Sequence, residues 1–340
     1  MRNRRIFSVF FALLLLLSLF ASAHADIEIH YLDVGRGDCA VVLCDGEAMI
    51  IDGGQPNQSQ FVYSYLQNTL GLDALQYMVA THPDSDHIGG LSAALNACRV
   101  GAIYSSISSS DAKTFQSLIK YAARQGLAPI IPQAGDTCAL GGAEITFLAP
   151  VSTYADDNNA SIVLKITYGR TSFLFTGDIE AVAEADILRS GADVGATVLK
   201  VAHHGSDTSS SDAFLEAVQP QCAIISVGDN AYGHPSERVL NRLQSIGSTV
   251  YRTDTNGTII CRSDGNSIEF LTEKGNNEAT ASPEPENTAA APYIGNRNSH
   301  KFHYAGCSSV DSMKEKNKVE LRSREDAVSA GYIPCKRCNP

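Results

Sequence analysis

Past residue 25 the sequence lacks any apolar run of bilayer-spanning length, which excludes an integral membrane body, because a span needs about 20 consecutive apolar residues. Basic charge is scarce where the chain is longest. Residues 26–293 hold 14 Lys and Arg against 32 Asp and Glu, a net of −18. That surface is excluded from broad, sequence-independent capture of nucleic acid, which is driven by phosphate neutralisation and counterion release. A phosphodiester substrate is not excluded, since bound cations supply a local positive field. No segment repeats at a solenoid period, so an array of stacked repeats is also excluded. Finally, EKGNNEATASPEPENTAAAP (273–292) has no Val, Ile, Leu or aromatic residue, and a segment with so little to bury does not fold.

What is present divides the chain. Arg2, Arg4 and Arg5, the apolar run Ile6 to Phe20 and the small-x-small site Ala23-His24-Ala25 read as a secretory signal peptide over 1–25, cleaved to release a protein outside the cytoplasm with no stable membrane span. A body over 26–272 follows, then a linker over 273–293 and a tail over 294–340. The tail carries 9 basic against 5 acidic residues, opposite in sign to the body and to the whole chain at −11. Nine cysteines in an exported chain point first to disulfides, but the number is odd and spacing fixes no pairing.

Along the body, short β-rich runs come first: IEIHYLDVG, CAVVLC and AMIIDGG, each closed by turn residues. A helix near 58–70 and the strand LQYMVA follow. Helices are expected near 88–97, 111–125, 180–190 and 212–218, and from Pro235, a residue suited to a first helical position. Strands are expected near 100, 128–131, 143–150, 161–169, 171–178, 196–202, 222–228, 249, 258 and 267. Two strand groups separated by helices imply an α/β fold with two packed sheets and helices outside, a four-layer αββα arrangement.

The strand LQYMVA runs directly into THPDSDHIGG, which packs His82, Asp84, Asp86 and His87 into six consecutive positions. Groups that repel or resist desolvation are seldom concentrated without compensation, and a bound cation is the usual one. A helix cap explains one such residue and leaves three. The same placement recurs: Asp178 ends SFLFTGD, His203 and His204 end TVLKVA, His234 follows CAIISVG, and Asp33, Asp38 and Asp52 follow the first strands. Parallel connectivity gathers such strand ends on one rim. Oxygen and imidazole donors without thiolate suit Zn²⁺, Mn²⁺ or Fe, and a bridging carboxylate, for which Asp178 is the candidate, holds two ions about 3.5–4 Å apart.

THPDSDHIGG resembles the H-x-H-x-D-H signature of the metallo-β-lactamase fold superfamily, with Asp84 where the second His normally stands. With YLDVGRGDCAVV, IIDGG, NNASIVL, LFTGD, LKVAHHGSDTSSS and GHP in order, residues 27–272 resemble the hydrolase domain of the competence protein ComEC. The resemblance implies two divalent ions, Zn or Mn. His82 and Asp84 hold one, Asp86 and His87 the other, and Asp178 bridges. It adds one of His203 or His204 as a ligand; His203 is assigned to the metal set and His204, with Asp86 and His234, to catalysis. Metal-bound hydroxide is then the nucleophile, Asp86 orients or deprotonates it, and His234 is a ligand or the proton donor to the leaving group. Asn159 falls near a position where the family places another His. SDTSSS either binds a phosphate or caps the next helix.

In the tail, His303-x3-Cys307 and Cys335-x2-Cys338 give one imidazole and three thiols at zinc-ligand spacing, and so small a module needs such a staple. The segment resembles the small metal-binding module of the DNA-repair protein Ada, which implies one structural Zn and nucleic-acid contact. The expectation is therefore a secreted, metal-dependent phosphodiesterase acting on DNA. Its competitors are hydrolysis of another ester or lactam (a phosphorylcholine ester, a lactone, a β-lactam) and a non-catalytic DNA-binding envelope protein. Protein partners are not legible.

Overall fold

The structure is a computed structural model that describes residues 26–275, 293–304, 307–321, 327–328 and 330–338. The signal-peptide expectation over 1–25 and most of the linker expectation lie outside the described residues. The chain divides into two units, with the boundary between residues 279 and 280. Among the described residues no helix is long and apolar enough to cross a membrane.

The body is built on two sheets. The strands are β1 (Ile27–Tyr31), β2 (Ala40–Cys44), β3 (Glu47–Ile51), β4 (Ala74–Ala80), β5 (Arg99–Ser105), β6 (Pro129–Ile130), β7 (Thr137–Leu140), β8 (Ala143–Ala149), β9 (Val163–Tyr168), β10 (Thr171–Phe175), β11 (Val198–Lys200), β12 (Cys222–Ile225), β13 (Thr249–Arg252), β14 (Ile259–Ser263) and β15 (Ile268–Thr272). One sheet has the order β15-β14-β1-β2-β3-β4-β5-β6 and the other β13-β12-β11-β10-β9-β8-β7. Alternation along the strands decides what lies between them. Ile27, Ile29 and Tyr31 of β1 share an apolar layer with Ile145 and Phe147 of β8 and Phe173 and Phe175 of β10, all almost fully buried.

The opposite faces are covered by helices. Val41, Ile50 and Met78 pack with Leu91, Leu95, Phe115 and Leu118 from helices Leu91–Ala97 and Lys113–Arg124. Leu174, Leu199 and Ile225 pack with Ile187, Phe214, Leu215, Val239 and Leu243 from helices Ala181–Ser190, Asp212–Val218 and Glu237–Ser245. Helix, sheet, sheet, helix is the expected four-layer order.

Connectivity puts the polar strand ends together. β3, β4 and β5 are mutually parallel, as are β10, β11, β12 and β13. The segments that leave their carboxyl ends therefore meet on one rim.

The tail unit is a four-stranded sheet in the order Lys318–Leu321, Tyr293–Asn296, Lys301–Tyr304, Ile333–Pro334, with Phe302 fully buried at its centre. All nine cysteines are free thiols, so no described cross-link carries the disulfide reading.

Candidate metal centre

Gly53 and the Gly89-Gly90 pair set the floor of the rim. A Cβ on Gly90 would stand 2.0 Å from the Gly53 carbonyl oxygen, so only glycine lets the turn after His87 lie against the loop after β3. The Gly53 amide donates to the His87 carbonyl at 2.6 Å, and Asp52 is thereby brought under the imidazole of His87. Asp52 Oδ2 accepts from His87 Nδ1 at 2.8 Å and from the Thr81 hydroxyl at 2.6 Å, while Oδ1 accepts from the Thr81 amide at 2.9 Å.

Each of three imidazoles commits one nitrogen and leaves the other free. With its proton given to Asp52, the Thr81 hydroxyl accepts from His82 Nδ1 at 3.1 Å. His87 Nδ1 is held by Asp52, and His204 Nδ1 donates to the Ser226 carbonyl at 2.9 Å. The Nε2 atoms of His82, His87 and His204 are then buried without a hydrogen-bond partner, as is Asp178 Oδ1. Asp178 Oδ2 lies 3.9 Å from His82 Nε2, 3.3 Å from His87 Nε2 and 3.5 Å from His204 Nε2. Asp86 Oδ2 lies 3.8 Å from His204 Nε2, and Asp84 Oδ2 lies 3.9 Å from His82 Nε2.

Orphaned lone pairs converging on one carboxylate are costly in a dry interior unless an electrophile compensates them. His82, His87 and Asp178 offer donor atoms all within 4.8 Å of one another, as do Asp86, His87 and His204. The donor set fits divalent metal, and Asp52, Thr81 and Ser226 fix the ligand tautomers from behind.

The charge balance agrees. Burial, reinforced by His87, pushes His82 down to about 3, so it is neutral at pH 7. Burial opposes charge on His87 and His204, yet Asp178, with Asp52 for the former and Asp38 for the latter, raises both. Against its own desolvation, Asp178 is held well below the ordinary carboxylate range by His87 and His204. Burial and Asp86 raise Asp84. A bound cation would supply the positive charge that these protons otherwise provide.

Several sequence readings sharpen. Asp84 occupies the N-cap of helix Ser85–Ile88, but its side chain makes no capping hydrogen bond, so capping does not account for it. The His203-His204 doublet sits at φ 50° and 52°, a left-handed pair that turns the two rings apart. His204, expected among the catalytic groups, is the one facing Asp178 and Asp86; His203, expected as the ligand, instead meets Glu180 Oε1 through Nδ1 at 3.3 Å. His234 lies 5.5 Å from the His203 ring and lines the cleft without joining the donor cluster.

Asn159 is committed to protein partners. Its Oδ1 accepts from the amides of Glu180 and Ala183, its Nδ2 donates to Asp156, and it caps helix Ala181–Ser190. The serines of SDTSSS are engaged internally: Ser211 Oγ caps helix Asp212–Val218, Ser209 Oγ donates to the Ala202 and Ser206 carbonyls, and the amides of Ser210 and Ser211 donate to buried Glu184. The loop caps the helix, and the hydroxyls of Ser206, Ser209 and Ser211 all have protein partners.

Lys200 was missed. Its ammonium is buried behind the rim, 2.6 Å from Asp38 Oδ2 and donating to the Val201 carbonyl at 2.8 Å. A lysine inside the apolar run TVLKVA was the available signal. It and the two imidazoles His204 and His87 hold Asp38 below the carboxylate range despite burial.

In the tail, the donor atoms of His303, Cys307, Cys335 and Cys338 all lie within 4.8 Å of one another. One imidazole and three thiols in that array have the composition and number of a closed tetrahedral site.

Residues 32–229 match the family model described as Metallo-beta-lactamase superfamily. Among curated proteins, the chain is 31% identical over 263 residues to ComE operon protein 3 of Bacillus subtilis, covering 72% of this chain and 34% of that one. It is 32% identical over 230 residues to Competence protein ComA of Neisseria gonorrhoeae, covering 67% and 31%. The chain thus spans about a third of the length of these relatives. Among solved structures, the metallo-beta-lactamase fold protein YhfI of Bacillus subtilis aligns with a TM-score of 0.48 and 12% identity, covering 70% of this chain and 100% of that one.

Proposed function

The chain belongs to the metallo-beta-lactamase superfamily, and we propose that within it this protein is a metal-dependent phosphodiesterase that acts on DNA outside the cytoplasm. The observation that carries the reading is the convergence of the unpartnered Nε2 atoms of His82, His87 and His204 on Asp178. His82 and Asp84 would hold one divalent ion and Asp86, His87 and His204 a second, each beside the Asp178 carboxylate. Bound divalent ions of this kind acidify water and offset charge on a phosphoryl group.

The remaining work falls to side chains. Hydrolysis adds the oxygen of water to phosphorus, breaks the bond to the leaving oxygen, and moves one proton from the water while the leaving oxygen gains one. Asp86, on the cleft wall, accepts the water proton. Burial and the adjacent His203 lower His234, so its neutral ring offers an N–H hydrogen bond to the leaving oxygen, and solvent supplies the proton. The cleft is about 430 Å³ and open to solvent, wide enough for a phosphate and its neighbours. The names of the competence relatives and the basic tail, stapled by zinc on His303, Cys307, Cys335 and Cys338, favour DNA over other esters.

The test is turnover by the full chain of single- and double-stranded DNA, methyl p-nitrophenyl phosphate and nitrocefin, with Mn²⁺, Zn²⁺ or EDTA. DNA and the phosphodiester should be cleaved only with metal. Turnover of nitrocefin alone overturns the proposal.

A further inference from the structure

Arg36, His203, Tyr232 and His234, which hold no ion in this account, wall the cleft together with Ser85. Arg36 is the one Arg or Lys among the residues lining it, in a body with a large acidic excess. Its Nε is buried without a hydrogen-bond partner, 3.5 Å from Asp86 Oδ2, and its guanidinium stands 5.3 Å from the centre of the Tyr232 ring. Tyr232 is 68% exposed, more than any other large hydrophobic side chain among the described residues. One side of that ring is backed by His234, stacked at 5.8 Å and 29°.

The pair is held in place. Asn230 Oδ1 accepts from the amides of Tyr232 and His234, and its Nδ2 donates to the Gly228 and His234 carbonyls. A Cβ on Gly228 would lie 2.6 Å from the Arg36 amide nitrogen, so glycine there brings the Arg36 loop against the Tyr232 loop. A braced aromatic ring open to solvent gains little from folding. Beside a guanidinium whose Nε makes no hydrogen bond and meets only Asp86 Oδ2 at ion-pair distance, at the mouth of a phosphoryl-transfer cleft, it has the two parts of a nucleotide site: a cation for phosphate and a plane for a base.

We infer that Arg36 and Tyr232 form a nucleotide subsite, in which Arg36 holds the phosphate next to the scissile one and Tyr232 stacks its base, so that the preferred substrate is single-stranded. A base within a duplex is already stacked and paired, whereas a single strand presents its bases to an aromatic platform. This inference rests on the phosphodiesterase reading.

The experiment compares kcat and KM of the metal-loaded full chain on a single-stranded oligonucleotide, the same sequence as duplex, and methyl p-nitrophenyl phosphate, which has no base and no second phosphate. Single strand should exceed duplex at least tenfold in kcat/KM. Tyr232→Ala and Arg36→Gln should each raise KM for the single strand tenfold or more, lowering the ratio of oligonucleotide to small-ester efficiency, and Tyr232→Trp should restore it. Small-ester hydrolysis with that ratio unmoved in both variants overturns the subsite and leaves the phosphodiesterase. No hydrolysis of any phosphodiester overturns both.

Discussion

His82, His87 and His204 each tie one ring nitrogen to a protein oxygen and turn the other inward, so the orienting groups matter almost as much as the ligands. Asp52→Asn removes the acceptor that holds His87; metal affinity should fall about 10- to 100-fold, read by titration against a competing chelator. Protonation gives a second expectation. His87 and His204 are raised in the metal-free chain, so their protonated forms add stability below about pH 6.5, lost as pH rises through the folded values. In EDTA the melting temperature should therefore fall from pH 6.5 to 8.5, while with metal, which displaces those protons, it should rise; scanning calorimetry across the range reads both. Much of this was legible, since THPDSDHIGG and the strand-end Asp178 announce themselves by charge density. Which histidine of the doublet faces inward was not, because two successive left-handed residues override the alternation a strand would impose. Lys200 hid in an apolar run for a similar reason: its partner Asp38 is distant in sequence.

At the scale of elements, helix ends near the rim are secured by side chains that motif reading assigns to the reaction. Asn159 joins the start of helix Ala181–Ser190 to the loop before β9, holding the segment that also carries Asp178 and Glu180. Asn159→Ala should cost about 1–2 kcal/mol of stability in denaturant unfolding, with metal content retained, as expected for a lost cap and not for a lost ligand. Strand and helix order was largely readable because hydrophobic period changes at each turn. One helix end was misread and one strand was missed. The last long helix starts at Glu237 with Ser236 as its cap, Ser236 Oγ accepting from the Val239 amide, so Pro235 stands outside it. The strand TCAL at β7 gave no signal, being four residues long with only Leu140 buried.

Over the whole molecule the body is acidic and the tail basic, and under the proposed function the tail is the part whose lysines and arginines would contact phosphate. Deleting 294–340 should raise KM for DNA more than it lowers kcat, and the effect should shrink at high salt as phosphate contacts are screened. The four-layer fold was readable from two strand groups separated by helices, and a shared rim of strand ends was expected with it; what single segments do not reveal is the pairing itself, β3 parallel to β4 and β10 to β11 and β12. The central claim is that this rim holds divalent metal. Elemental analysis of the purified full chain beside its His82→Ala/Asp178→Asn double variant tests it most directly. About three ions per chain, falling to about one retained by the tail, is the predicted result; equal metal content in the two proteins would contradict it.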